Sequence, residues 1–368
     1  ESGKVTAKAE GTAIITVKGE KTTGVSKTFK VTVQEEKNKI VGIIEKSTTE
    51  FANNNNIREV REGNRPIPVG YYYIKGTKKA GAVITDAENG GAGGNEFVWI
   101  PVDVDEIDKM AREIDGTNDN TDNNGNKKYR GVLYNFNSDK TKNRQIDWKV
   151  DLTNFREPAN LSTTYDSASN VSGWTETLYQ EEYDKMVKQV EKYHGFYVGR
   201  YEMSLNSTGE AQSKGGETSA SASRSSANQW YGLYTKAKTY APDTQENTKS
   251  VVSSMIWGSQ YDAMMRWMQN NGVDVTEKPT DTPSATLQNA ERNKENTTGG
   301  ENNKDVINNV YDILGNRLEW TQEANYPGYR VLRGGNYGDA DSPSGRSRRT
   351  NPSSASTYHG SRFTLYIK

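Results

Sequence analysis

Two histidines, His194 and His359, and no cysteine bound the chemistry open to this chain of 368 residues. Without thiols there is no disulfide, no thiolate nucleophile and no sulfur-ligated zinc. Two imidazoles and one carboxylate suffice by count for a mononuclear iron site. His194, however, ends an apolar-periodic segment, where a histidine serves equally well as a helix-terminal cation. The G-x-S-x-G of a nucleophile elbow is missing, as is a phosphate loop ending in G-K-[ST]. GGAGG at 90–94 lies between two short strand signals with no helix to follow, so the context of a dinucleotide loop is lacking. In DGTNDNTDNNGNKK at 115–128, Asn120, Asp122 and Asn124 precede Gly125 as in part of a calcium loop. Asn replaces the first carboxylate and Gly131 stands where a closing glutamate belongs, so a solvated turn accounts for the run. No catalytic set and no metal-ligand set emerges, and calcium stays open as a cofactor.

The C-terminal stretch offers chemistry of another kind. From Ala324 to Ile367 there is no Lys, Glu, Gln, Met or Trp. Every type that does occur there can be encoded by a codon ending in C or T, and the five absent types cannot. A Ser/Gly/Asn-rich loop between strands is the plain account. Mutation at codons that keep a pyrimidine in third place is the sharper one. The content suits binding: Tyr337, Tyr358, His359, Arg348 and Arg349 supply contact area and charge. Asp339, Asp341, Ser342, Ser344, Asn351, Ser353, Ser354, Ser356 and Thr357 supply adaptable hydrogen bonds, a mixture like that of antibody loops.

Such side chains need elements to hold them. The length predicts two or three domains with room for a core. The balance of 47 basic against 48 acidic residues argues against a nucleic-acid partner. No run of 18 apolar residues predicts a membrane span. The opening ESGKV, without Met, signal or anchor, reads as a fragment of something longer. Residues 1–34 alternate through Val5, Ala7 and Ala9, then Ile15 and Val17, then Phe29, Val31 and Val33, which predicts short half-buried strands. The charged, Asn-rich stretch 36–66 reads as a linker. Strand signals follow at 71–76, 81–86 and 96–102, and helical spacing at 104–114 places Ile107, Met110 and Ala111 on one face.

Two further helices are predicted. From Glu181 to Tyr193 the stripe is Tyr183, Met186, Val187, Val190 and Tyr193, with Gly195 as its stop. In GSQYDAMMRWMQNNG, Ser259 is placed to cap with Asp262, Tyr261, Met264, Met265 and Met268 form the stripe, and Gly272 ends it. These stripes read as core. The stretches 205–250 and 277–305 read as polar insertions.

Four stretches in this order carry a resemblance: FVWIPV at 97–102, HGFYVGRYEMS at 194–204, SSMIWGSQYDAMMRWMQ at 253–269, and VYDILGNRLEWTQE followed by RVLRGGNY and a terminal G-x-RF strand. They resemble the formylglycine-generating, sulfatase-modifying family. The resemblance covers about residues 67–368 and implies an α+β, C-type-lectin-like fold with a small mixed sheet, two helices and long irregular loops. The opening GKVTAKAEGTAIITVKG...GVSKTFKVTV resembles the second half of a bacterial immunoglobulin-like domain, a partial β-sandwich over 1–35. Asn316, Glu319, Trp320, Arg333, Gly334, Gly335 and Arg362 form the motif, and their types suit structure: Gly315 for a tight turn, Trp320 as core, the arginines as pins for loops.

Sulfatase activation in that family works through cysteines, which are absent here. Some of its lectin-like members are diversified by retroelements that mutate adenines at AAC or AAT codons, in a C-terminal segment placed as 324–367 is. The expectation is therefore a non-catalytic binding protein, an adhesin or receptor-binding protein of a bacterial surface or phage particle, extracellular, with a protein or glycan as partner. The alternatives are a metal-dependent enzyme of the family and a structural appendage module.

Overall fold

Alternation and length of the apolar runs decide which segments pair. The computed structural model of the protein describes residues 11–18, 26–33, 39–44, 51–53, 65–77, 80–102, 176–220, 230–275, 277, 287–288, 290–294, 297–299, 304–324, 330–338, 343, 348–350 and 356–368. They fall into two units, Glu1–Lys39 and Ile40–Lys368. In the first, β1 (Gly11–Lys18) and β2 (Ser26–Val33) form an antiparallel hairpin from Gly11 opposite Val33 to Lys18 opposite Ser26. The predicted strand at Val5, Ala7 and Ala9 lies outside the described residues.

The second unit opens with β3 (Ile40–Ile44), β4 (Phe51–Asn53), β5 (Arg65–Pro68), β6 (Tyr72–Lys75), β7 (Val83–Thr85) and β8 (Glu96–Pro101). Helix α1 (Glu176–Tyr193) leads into β9 (Gly195–Gly199), β10 (Ser204–Leu205), β11 (Ala211–Gln212) and helix α2 (Trp230–Ala237). There follow β12 (Val251–Met255), helix α3 (Gly258–Asn270), β13 (Val306–Ile307) and β14 (Val310–Tyr311). The chain closes with β15 (Leu318–Ala324), β16 (Arg330–Arg333), β17 (Arg348–Thr350), β18 (His359–Ser361) and β19 (Phe363–Ile367).

A six-stranded antiparallel sheet, β12-β19-β9-β8-β7-β6, forms the centre. The apolar run of β8 is continuous, as a strand covered on both faces requires, and its alternate side chains enter two different clusters. Phe97 and Trp99 join Tyr179, Tyr183 and Met186 of α1 and Trp230 and Leu233 of α2 in one cluster. Val98 and Ile100 join Tyr261, Met264, Met265 and Met268 of α3 in the other. A four-stranded sheet, β17-β16-β15-β18, is antiparallel except between β15 and β18. The class is α+β.

Several expectations change. The predicted linker 36–66 contains β3, β4 and the first half of β5, which pair in a three-stranded antiparallel sheet. Ile40 and Ile67 are buried, and Pro66 O accepts a 2.8 Å hydrogen bond from Tyr197 Oη, so apolar residues between the Asn and charge runs outweigh them. Within 205–250, expected as a polar insertion, Trp230, Tyr231, Leu233, Tyr234, Ala237, Tyr240 and Ala241 are buried and α2 packs in the core. In 277–305, Leu287, Ala290, Asn293, Thr298 and Asp305 are buried as well. The described residues hold three helices where the resemblance implies two.

Ser259 is not the cap of α3. Trp257 occupies that position, with its N–H donating to Gln260 Oε1 at 3.1 Å, the return half of a capping box. Asp262 turns instead to Arg333, as described below. Helix α1 begins at Glu176, five residues before the predicted start, and its left-handed terminal residue is His194 (φ 56°) rather than Gly195. The helix predicted at 104–114 and the run at 115–128 lie outside the described residues.

Candidate functional site

The site is built on a base of buried ions. Arg362, in the short link between β18 and β19, is fully buried and donates to Glu319 of β15: Nε reaches Oε1 at 3.0 Å and Nη2 reaches Oε1 at 2.6 Å. Its remaining donors take carbonyls, Nη1 that of Gly199 at 2.7 Å and Nη2 that of Tyr311 at 2.7 Å, which joins three strands, β9, β14 and β15, to one guanidinium. Burial pushes Glu319 up from the usual carboxylate range, and Arg362 opposes the rise. Arg333 of β16 is equally buried; Nη2 donates to Asp262 Oδ1 at 2.6 Å and Nη1 to Glu323 Oε2 at 3.3 Å. Burial works against that charge, but Asp262 and Glu323 outweigh it and hold the guanidinium above its ordinary value. Trp320 is fully buried beneath these pairs, edge-on to His359 at 5.3 Å between ring centroids.

Backbone geometry brings the strand ends together. Asn316 adopts φ 55°, so the left-handed residue of the expected turn is Asn316 itself. Gly315 is needed for another reason: a Cβ there would lie 2.2 Å from Asn293 O. Asn316 N–H donates to Asn293 O at 2.8 Å, its Nδ2 to Ser219 Oγ at 2.6 Å, and its carbonyl accepts from Tyr337 N–H at 2.9 Å. Gly334 (φ 72°) allows β16 to leave its sheet beside Ile313 O, only 2.9 Å from where a Cβ would stand, and Gly335 follows it, buried.

On this base lies an aromatic pair, Tyr358 exposed and Tyr337 half-buried. The rings of Tyr337 and Tyr358 stack at 4.7 Å between centroids and 30° between planes. Tyr337 Oη donates to Thr357 Oγ1 at 3.1 Å, and Ser356 Oγ accepts from Tyr358 N–H at 3.1 Å. Arg292 Nη1 donates to the carbonyls of Asn336 and Tyr337 at 3.0 and 3.2 Å, which holds the loop from below. Gly338 fits against the Tyr358 ring, where a Cβ would meet it at 2.9 Å.

Thus four predicted residues, Tyr337, Ser356, Thr357 and Tyr358, come together at the surface. His359 does not join them: it is buried against Trp320, because β18 turns it into the core. Arg348 and Arg349 belong to β17, opposite Leu332 and Val331 of β16. Asp339, Asp341, Ser342, Ser344, Asn351, Ser353 and Ser354 lie outside the described residues.

Two residues of the quoted stretches, which no local spacing singles out, meet near the pair. Arg317 and Glu202 are both buried, and Glu202 Oε1 accepts from Arg317 N–H at 3.0 Å. Burial, then the charges of Asp312 and Glu319, push the Glu202 carboxyl well above its usual range. Elsewhere, a cavity of about 560 Å³ lies between α1, α2 and the β12–β19 edge. Of the carboxylates that line it, Glu182 is taken by Tyr234 Oη at 2.5 Å, Lys238 Nζ at 3.0 Å and Ser254 Oγ at 2.8 Å, a set that packs the helices to the sheet, and Asp243 pairs with Lys185 Nζ at 2.7 Å. Among the described residues no group of three His, Asp or Glu side chains is placed to hold a metal ion, and no helix is long and apolar enough to cross a membrane.

No protein-family model matches the chain, no curated protein matches it, and no solved structure matches it.

Proposed function

We propose that the chain is a non-catalytic ligand-binding protein whose C-terminal segment, around 337–359, displays a diversified contact surface on a C-type-lectin-like scaffold. The observation that carries the reading is the Tyr337–Tyr358 stack, with the Tyr358 ring exposed, on a base clamped by buried ion pairs. Aromatic rings with few rotatable bonds lose little entropy on binding, and a base held by Arg333 and Arg362 limits what the backbone has to lose. Substitutions in the displayed loop leave those clamps untouched, since Arg333, Asp262, Arg362 and Glu319 lie outside the loop or beneath it. The missing residue types in 324–367 support diversification at the codon level. Display as an adhesin or receptor-binding protein, on a bacterial surface or phage particle behind an immunoglobulin-like spacer, completes the proposal.

The test is DNA sequencing of the encoding locus in many sister cells or phages, including the flanking kilobases. A near-copy of the 324–367 coding segment, differing at adenines and lying beside a reverse transcriptase gene, is the expected result. An invariant segment without a copy overturns diversification.

A further inference from the structure

We infer that Arg292, Asn293 and Gly299 strap the Tyr337 loop to two buried carboxylates, Asp305 and Asp312, and that this strap loosens as pH rises. The inference rests on the binding reading above and adds the regulation of that surface.

The anchor lies at the base of the β13–β14 hairpin. Asp305 precedes β13 and Asp312 follows β14; both are buried, and Asp312 N–H donates to the Asp305 carbonyl at 2.8 Å. One residue spans the two carboxyl groups. Asn293 donates its backbone N–H to Asp305 Oδ2 at 3.1 Å and its Nδ2 to Asp312 Oδ1 at 2.8 Å. Gly299 N–H adds a second tie, to Asp312 Oδ2 at 3.1 Å. Neither Asn293 nor Gly299 belongs to a strand or helix, so the carboxylates accept the N–H groups that a ladder would otherwise take.

The same residues reach the display loop. Arg292 Nη1 donates to the carbonyls of Asn336 and Tyr337 at 3.0 and 3.2 Å. The Asn293 carbonyl accepts from Asn316 N–H, and the Asn316 carbonyl accepts in turn from Tyr337 N–H. Tyr337 is therefore gripped at its N–H and at its C=O by groups that move with residues 292 and 293. Packing leaves that link little slack, since a Cβ on Gly315 would stand 2.7 Å from Arg292 Cγ and 2.2 Å from Asn293 O.

The charges around the anchor give the direction. Asp305 faces Asp312 and the phenol of Tyr261 on α3. Asp312 faces Glu202, Arg362 and the phenol of Tyr201. Lys304 turns outward to Glu291 at 3.1 Å, and Arg362 is bound to Glu319. Ionising Asp305 thus sets a second negative charge beside Asp312 in a site removed from water. Burial first, then the charge of Asp312, push the Asp305 carboxyl up to about 8, against about 4 when the site is open to water. Its support for the closed strap is complete below about pH 4 and is lost as pH rises to about 8.

The experiment is hydrogen–deuterium exchange of the whole unliganded chain, read by mass spectrometry from pH 6 to pH 8, with labelling times scaled to hydroxide concentration. Protection is expected to fall by about tenfold or more in peptides containing Asn293 and Gly299, and in step with them in peptides containing Tyr337. Peptides of β8 and β9 are expected to stay constant. Asp305→Asn, uncharged at every pH, is expected to flatten both profiles. Arg292→Gln is expected to keep the fall at Asn293 while leaving Tyr337 poorly protected already at pH 6. Constant protection in wild type overturns the inference, and so does a fall confined to the Asn293 and Gly299 peptides. A fall shared by β8 and β9 also overturns it, because the whole fold is then opening. If Asp305→Asn does not fold, the wild-type and Arg292→Gln profiles decide. No ligand enters the measurement, so a negative result leaves the binding reading standing; that reading falls if the Tyr337→Ala/Tyr358→Ala variant captures partners as wild type does.

Discussion

Tyr337 stacks on Tyr358 although 20 residues of chain separate them, and each is tied by its own backbone to a residue flanking Arg317. Tyr358 is 41% exposed, so the contact is one of display as much as of packing. A stacked aromatic pair contributes about 0.5–1.5 kcal/mol beyond its buried area. Tyr337→Ala with Tyr358→Ala is therefore expected to lower the melting temperature by only a few degrees while abolishing capture of any selected partner. Calorimetry on the unliganded variant checks the first half and surface plasmon resonance the second. A collapse of the fold would reassign the pair to the core.

The Glu319–Arg362 pair should behave in the opposite way. Removing one partner from a buried pair costs about 3–5 kcal/mol, because the other charge is stranded. Arg362→Met is expected to cost more than Glu319→Gln, since it also orphans the carbonyls of Gly199 and Tyr311. The double variant should be more stable than the sum of the two losses implies, by about 0.5–3 kcal/mol of coupling. Urea denaturation of the four proteins in the cycle measures it, and strict additivity would show that the two groups do not share a partner.

How much of this was legible in the sequence depended on whether a residue's role is local. Strands β6, β7 and β8 and the apolar faces of α1 and α3 follow from periodicity alone, and Trp320 reads as core from its type and surroundings. The stacked pair was within reach because tyrosines in a segment stripped of long side chains already suggest contact. The cap of α3 was misread because Ser259 is the usual capping type, whereas Gln260 reaches back to Trp257 N–H and Asp262 is claimed by Arg333, 71 residues away in sequence. Helix α2 was missed because polar flanks masked Trp230, Leu233 and Tyr234 at helical spacing. Arg317 and Glu202 are 115 residues apart and meet only through tertiary structure.

Helix α2 supplies a direct check on the core. Trp230 is 1% exposed, stacks on Tyr234 at 5.0 Å between centroids, and donates through Nε1 to Thr321 O at 2.8 Å. Trp230→Ala removes a large buried ring and strands a carbonyl of β15, so a loss of about 3–5 kcal/mol is expected. Chemical denaturation of the whole chain measures it. A loss below about 1 kcal/mol would return 230–241 to the status of a surface insertion.

The last expectation concerns protons. Asp305 and Asp312 are both buried, and the backbone of Asp312 donates its N–H to Asp305 O at 2.8 Å. Burial first, and then the charge of Asp312, push the Asp305 carboxyl up to about 8, against the pull of the N–H groups of Asn293 and Leu314. In the unfolded chain the same carboxyl titrates near 4. The folded state thus binds more protons between these values. This group's contribution is complete below about pH 4, falls as pH rises by at most about 1.4 kcal/mol per unit, and is gone above about pH 8. Asp305→Asn keeps the uncharged form at every pH. The stability of wild type relative to Asp305→Asn should therefore decline from pH 5.5 to 8.5 in urea melts. If the difference is constant over that range, Asp305 is ionised in the folded protein throughout, and the N–H donors of Asn293 and Leu314 outweigh burial.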